Sequence, residues 1–285
     1  MAADPLTEPP REQAELVREH YDRLSPLYNT LWGEHIHHGY FEDGESPRRA
    51  QLKLTERLAR RARMPASAHV LDVGCGLGGS SLWLARELGC RVRGITLSPV
   101  QARAATERAR RAGLSHLTSF EVADAEKDEL GANVFDAVWV IECSEHLSDK
   151  AAFIARAARA LKPGGRLALC AWLKGEEVSN DEEQAQLVRE VCEAMLCPSL
   201  GTRGEYEGWM RAAGLVAVEF DDLTRRVAPT WEHCAALAGR AEVRAAIRLF
   251  GERTRRFVAS FELMRRAYTT GAMRYGMFVA TREGT

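Results

Sequence analysis

Residues 70–79 read Val70-Leu71-Asp72-Val73-Gly74-Cys75-Gly76-Leu77-Gly78-Gly79. The apolar run that begins at His69 ends in a glycine-rich turn, and an amphipathic stretch over 80–88 follows, which is the order strand, turn, helix. Glycine lets the backbone approach a ligand closely, and the first amides of a helix have no partner inside it, so such a turn suits a nucleotide-like molecule. Downstream the rhythm repeats. Strands are predicted over 91–97, 117–123, 135–142 and 166–172 and helices over 99–112 and 149–161, with Lys162-Pro163-Gly164-Gly165 stopping the second helix. Alternating strands and helices of this length predict a parallel sheet joined by right-handed crossovers.

The pattern changes after Trp172. An acidic start leads into a helix whose Leu187, Val191, Ala194 and Met195 form one stripe. A further helix over 203–213 ends at Gly214, and strands over 215–220 and 275–281 leave the segment between them to helices beside the sheet. On the N-terminal side, residues 1–11 contain three prolines and no apolar period and read as a frayed tail. Leu16, Val17, Tyr21 and Leu24 give a helix over 12–24. A second helix over 47–63 follows the Gly44 turn, and an aromatic, histidine-rich stretch over 28–41 lies between the two.

Composition excludes several classes. With 39 basic and 40 acidic residues the net charge is -1, which offers no field to attract nucleic acid or anionic lipid. The arginine clusters over 57–63, 103–111 and 253–256 fall on helical periodicity and read as solvated faces. No run reaches the length of a membrane span and no signal segment opens the chain, so a cytoplasmic protein without integral membrane association is expected. The seven cysteines are odd in number, scattered and without a Cys-x-x-Cys pair, which argues for reduced thiols.

Gly74-x-Gly76-x-x-Gly79 also satisfies the dinucleotide fingerprint, so the glycines alone do not name the ligand. Three details favour S-adenosylmethionine over a nicotinamide cofactor. Asp72, two residues before the first glycine, suits an ammonium or a water held near one. The acid expected some 20 residues on for a ribose is replaced by Thr96-Leu97-Ser98. Ala123-Asp124-Ala125 puts a carboxylate at the end of the third strand, where an adenine amino group could be read.

Together with Phe135-Asp136-Ala137-Val138-Trp139 and Leu161-Lys162-Pro163-Gly164-Gly165, these motifs resemble the ordered motifs of class I methyltransferases, over about 70–172. Trp32-Gly33-Glu34-His35-Ile36-His37-His38-Gly39-Tyr40, the run from Gly94 to Gln101, and Glu142-Cys143-Ser144-Glu145-His146 look like the gamma-tocopherol methyltransferase branch, with its related alkaloid, terpenoid and sugar enzymes. The resemblance implies a Rossmann-like α/β fold: a seven-stranded, mostly parallel sheet whose last strand is antiparallel, with helices on both faces. It divides the chain into the tail (1–11), an N-terminal helical lid (12–64), a cofactor-binding core (65–175) and a C-terminal part (176–285) with substrate-cap helices over about 181–213 and 223–272. Gly74, Gly76 and Gly78 would line the cofactor, with Asp72 near its amino-acid end. Thr96, Ser98 and Gln101 would meet the ribose or adenosine, and Asp124 and Ala125 would border the adenine. Tyr21, Tyr28, Trp32 and the turn at His38 and Gly39 would close over the methionine portion, above Glu142 at the bottom of the site.

Methyl transfer from a sulfonium is an in-line displacement, so the protein's task is positioning in a desolvated pocket, helped by a base where the acceptor must lose a proton. Glu145 and His146 after the fourth strand are the candidate bases; the alternative makes Glu145 an exposed loop carboxylate and His146 a capping or packing residue. His35 and His37 would share one face of an extended segment, but no partner cluster with ligand spacing stands nearby, and no metal is expected. Trp32, Tyr40 and Trp139 read equally well as core. The expected acceptor is a small, largely apolar specialised metabolite: a prenylated phenol, aromatic, terpenoid or alkaloid, with attack by carbon slightly ahead of oxygen or nitrogen. Ala171 and Trp172 stand where some sugar-methylating relatives carry a carboxylate, which weakens but does not remove a glycoside acceptor. The chain lacks a plastid-type extension and is rich in Ala and Arg, so a bacterial biosynthetic role is as open as vitamin synthesis. A nicotinamide-dependent oxidoreductase, a non-catalytic S-adenosylmethionine-binding protein, and a monomeric or homodimeric state all stay open.

Overall fold

The computed structural model describes residues 12–240, 243, 245 and 252–284. Seven strands form one sheet in the order β3-β2-β1-β4-β5-β7-β6. They are β1 (His69–Val73), β2 (Arg91–Thr96), β3 (Thr118–Val122), β4 (Phe135–Ile141), β5 (Leu161–Lys174), β6 (Leu215–Asp222) and β7 (Met273–Arg282). The first five pair in parallel, and β7 runs antiparallel between β5 and β6. This is the fold the resemblance implied.

Successive side chains of a strand face opposite ways, and the central strands are apolar on both faces. In β4, Ala137, Trp139 and Ile141 belong to one core and Val138 and Val140 to the other. Ala168, Cys170 and Trp172 against Leu167, Leu169 and Ala171 repeat this in β5. Helices cover both faces: α1 (Gln13–Leu31), α2 (Pro47–Arg61), α3 (Gly79–Leu88), α4 (Pro99–Arg111), α5 (Lys150–Ala160), α6 (Glu182–Ala194), α7 (Arg203–Ala212), α8 (Thr224–Val227), α9 (Pro229–Ala238) and α10 (Glu252–Thr270). Trp139 is fully buried, as a core residue.

Local chemistry sets the boundaries. Ser46 caps α2 and Ser98 caps α4, each followed by a proline at the first helical position, where a missing N–H costs nothing. Thr202 and Glu205 form a reciprocal capping box on α7. Two boundaries differ from the sequence expectation by more than two residues. Helix α1 runs to Leu31, because apolar residues continue at helical spacing past Leu24. Strand β5 begins at Leu161, since Leu161 pairs with Phe135 before the Pro163-Gly164-Gly165 irregularity interrupts the register.

In this strand order the chain winds outward from β1 through β2 to β3, then returns to place β4 on the other side of β1. Ligands of open α/β sheets bind at the crevice such a reversal leaves beyond the strand ends. Val73 lies opposite Val140 across the β1/β4 pairing, so the glycine turn after β1 and the segment after β4 open on the same crevice.

Candidate functional site

The turn is built for close approach. Gly74 and Gly76 have φ of +74° and +53°. A Cβ on Gly74 would lie 2.5 Å from the Cys143 Sγ, so this glycine lets the β1 turn press against the loop after β4. A Cβ on Gly76 would meet nothing nearer than the Gly74 carbonyl at 4.0 Å, because that side faces the cavity. Gly78 instead packs against Ala105 and Phe120 and is not a wall residue.

The cavity above the turn measures about 90 Å³. Its walls include Gly74, Gly76, Thr96, Ser98, Gln101, Asp124, Ala125, Glu142, His146 and, from α1, Tyr21. Thr96 Oγ1 donates to Gln101 Oε1 at 2.8 Å, and Ser98 Oγ accepts from the Gln101 amide at 3.1 Å. Ser98 Oγ also donates to Asp22 Oδ1 on α1 at 2.5 Å. Local periodicity gave no sign of this latch, because it joins positions 76 residues apart. Asp72 lies behind the turn rather than on the wall. It accepts from Ser81 Oγ at 2.5 Å, and burial raises its carboxyl to about 7 against the lowering effect of that bond.

A second cavity, of about 60 Å³, adjoins the first, and Tyr21, Ile36, Glu142 and His146 belong to the walls of both. Trp32, His38, Trp172, Met195, Trp231, Phe257 and Glu145 complete much of the second. Glu142 stands between the two with a left-handed φ of +52°, a conformation that costs an L residue energy and that recurs at functional sites. Its Oε1 accepts from the His38 amide at 2.8 Å and the Tyr275 hydroxyl at 2.7 Å, and its Oε2 accepts from His38 Nδ1 at 2.9 Å. Trp231 Nε1 donates to His38 Nε2 at 2.7 Å, so the His38 proton resides on Nδ1 and points at the carboxylate. Burial works against the Glu142 charge, but the His38 ring and the hydrogen bonds to it hold the carboxyl at about 2. The carboxylate therefore ties the 33–41 segment to β4 and β7. Tyr275 and Trp231, which complete the clamp, were not found by sequence reasoning; the sequence marks one as a strand residue and the other only as part of the cap.

Glu145 and His146 lie on a single 3-10 turn, Ser144–His146. Glu145 is buried, not exposed, and its carboxyl is raised to about 8 by burial and then by the Glu142 charge. His146 Nδ1 lies 3.1 Å from the Leu196 carbonyl, which can only accept, so Nε2 carries the lone pair. The Tyr21 hydroxyl meets that nitrogen at 3.2 Å. Burial lowers the His146 ring below its ordinary range and keeps it neutral.

The remaining expected site residues are placed elsewhere. Trp32 and His38 line the second cavity and not the first. Gly39 packs against Ala50 and donates its amide to Thr230 Oγ1 at 3.1 Å. The Tyr28 side chain lies outside the described residues. His35 Nδ1 and His37 Nε2 are 3.2 Å apart, and burial pushes the His35 ring down to about 3. Among the described residues no three His, Cys, Asp or Glu side chains converge as a metal site, and no helix is long and apolar enough to cross a membrane. A larger groove of about 1300 Å³ is lined by residues of α2, α3 and α4 together with Gly33, Glu34 and His35.

The wall chemistry of the first cavity suits a cationic nucleoside. Its charged wall groups are the carboxylates Asp124, Glu126 and Glu142, which favour a sulfonium or ammonium and oppose a pyrophosphate, and the outward side of Gly76 leaves a cradle for it. At about 90 Å³ it holds on the order of three waters. Ala14, Val17 and Tyr21 of α1 form part of its wall, so the position of α1 sets its size.

Comparison with known proteins agrees with this geometry. A methyltransferase-domain family model matches residues 71–169. A probable chloroplastic tocopherol O-methyltransferase of Oryza sativa subsp. japonica is 32% identical over 279 residues, covering 93% of this chain and 77% of that protein. A 27-O-demethylrifamycin SV methyltransferase of Amycolatopsis mediterranei is 35% identical over 216 residues, or 75% and 79% of the two chains. Among solved structures, the cyclase SpnF superposes with a TM-score of 0.81 at 26% identity, covering 97% of this chain and 98% of that one. The chain belongs to the class I S-adenosylmethionine-dependent methyltransferases, in the tocopherol methyltransferase-like branch. It is an enzyme whose methyl donor is S-adenosylmethionine, with S-adenosylhomocysteine as the by-product.

Proposed function

We propose that the chain methylates a small, largely apolar specialised metabolite, with a prenylated or otherwise alkyl-substituted phenol as the leading acceptor. The observation that carries this reading is the shared wall. A donor in the first cavity and an acceptor in the second would meet between Tyr21, Ile36, Glu142 and His146. The second cavity is walled by Trp32, Trp172, Trp231, Met195 and Phe257, which suits an aromatic acceptor with apolar substituents. The tocopherol methyltransferase relative supports a phenol, and the rifamycin relative supports a role in bacterial specialised metabolism.

In this reading Gly74, Gly76, Thr96, Ser98, Gln101, Asp124 and Ala125 hold the donor, which supplies the methyl group when bound. Asp72, Gly78 and Gly39 shape the backbone around it, and Trp32 and His38 serve the acceptor side. His146 is the base: its Nε2 lone pair faces the junction and reaches the acceptor through the Tyr21 hydroxyl. Glu145, raised to about 8, carries a proton through the neutral range and is the poorer base. Glu142, tied up by three hydrogen bonds, positions the lid segment and does not exchange protons. The protein acts in the cytoplasm.

The test is incubation with methyl-labelled S-adenosylmethionine and a panel of alkylated phenols, prenyl quinols, terpenoid diphosphates, amines and glycosides, read by mass spectrometry. A labelled phenol supports the reading. Label confined to glycosides, amines or diphosphates refutes the acceptor class.

A further inference from the structure

The acceptor cavity is small for the molecule it is proposed to hold. At about 60 Å³ it has room for on the order of two waters, and an alkyl-substituted phenol is larger than that. A third cavity, of about 340 Å³, adjoins it, because Trp32 and Thr230 line both. Thr230, in the first turn of α9, is fixed at this boundary by accepting the Gly39 amide at 3.1 Å. Trp32, the residue after the end of α1, is half-buried there.

The third cavity has an inner and an outer end. Inside, its wall is formed by Phe41 and by Cys234 of α9, which are 8% and 1% exposed. The Phe41 ring stacks on His233 at 5.2 Å between centroids, which closes the side of the cavity between the 39–47 segment and α9. Ser46, Pro47, Arg48, Ala236 and Arg240 on the outer wall are all exposed, so this end faces solvent. An apolar chain laid along such a wall leaves water together with the surface it covers, at up to about fourfold in affinity per methylene.

Resting on the reading of the enzyme as a methyltransferase of alkyl-substituted phenols, we infer that the third cavity is the subsite for the acceptor's apolar substituent. The substituent runs from the second cavity past Trp32 and Thr230, then along α9 toward solvent. The tail thereby holds the ring at the junction with the donor cavity, and the open outer end sets no upper limit on its length. Affinity rises while the chain fills the cavity and levels off where it emerges, whereas a closed pocket would reject the longest chains. The sequence marked α9 only as part of the cap, because which of its residues face the 39–47 segment is decided by packing across nearly 200 positions.

The subsite is tested on the S-adenosylhomocysteine-loaded protein by calorimetric titration with para-methyl-, para-butyl-, para-hexyl- and para-octylphenol, and with octanol, which carries the chain without the ring. Affinity should climb from methyl to hexyl and level off toward octyl. Ala236→Trp, which fills the cavity from an exposed position, should lower the hexyl-to-methyl affinity ratio roughly tenfold and weaken octanol to a similar degree. Leu237→Trp fills it from the neighbouring position and serves where Ala236→Trp does not fold; melting temperature and S-adenosylhomocysteine affinity report the fold of each. A ratio unchanged in the folded variants, affinity that falls from butyl to octyl, or no binding of either octanol or the phenols overturns the subsite. Octanol binding that is lost in Ala236→Trp, with no phenol bound by the wild type, supports the subsite and overturns the phenol reading instead.

Discussion

The residue that couples the halves of the site is Glu142. Its carboxylate is buried, satisfied by His38 and Tyr275, and held at about 2 against an ordinary 4.5. A depressed acid contributes stability that is fully present above its unfolded value and is lost as pH falls through the folded one. The shift bounds that contribution at roughly 3 kcal/mol. Glu142→Gln should therefore melt at lower temperature than the wild type at neutral pH, and the gap should close as pH falls from about 4.5 toward 2. A gap independent of pH would mean the clamp is steric and not ionic. The two glycines divide differently. Gly74→Ala drives a methyl into Cys143 and should lower both stability and cofactor affinity. Gly76→Ala adds only left-handed strain, about 1–2 kcal/mol, but projects into the cavity, so affinity for S-adenosylhomocysteine should fall more than the melting temperature does. With His146 as the proposed base, His146→Ala should cut kcat by about 10²–10⁴ while leaving S-adenosylhomocysteine affinity within a few-fold.

At the scale of elements, α1 is the part expected to move. It is latched by Asp22 to Ser98, by Tyr21 to His146 and by the Gln13 side chain to the Leu196 carbonyl, with Ala14 and Val17 in the cofactor cavity. None of these contacts is a large apolar interface, as opening requires. Amide hydrogen exchange should find α1 opening faster than α3 or α4 in the free protein, and slowed once S-adenosylhomocysteine is bound. Equal protection of α1 and the sheet helices in the free protein would contradict the gate. The identity of such elements was readable in sequence, since the apolar periods of α1 to α5 and the glycine and proline stops are local. The partners of α1 were not, because Asp22, Tyr21 and Gln13 reach residues 76, 125 and 183 positions away.

For the whole molecule, ligand binding and folding are linked. S-adenosylhomocysteine at about 100 times its Kd adds roughly 2.7 kcal/mol to stability, which for a domain of this size raises Tm by about 5–10 °C. A nicotinamide dinucleotide should give no shift, because the carboxylates of the cavity wall oppose its pyrophosphate; a comparable shift would reopen the oxidoreductase reading.

The sequence by itself determined the strand, turn and helix order, the glycine turn at the end of β1 and the class of cofactor. Those follow from interactions between near neighbours: backbone conformation at glycine and proline, apolar periods of 2.0 or 3.6, and caps one turn away. It also singled out Glu142 as a wall of the cofactor site and Glu145 and His146 as candidate bases, without telling those two apart. Only the tertiary structure decided that one carboxylate is clamped as an anion, that the other is buried, and that His146 presents Nε2 to the junction. The charge state of a carboxyl and the tautomer of an imidazole are set by burial and by partners brought from β7, α1 and α9, and no spacing along the chain encodes those distances.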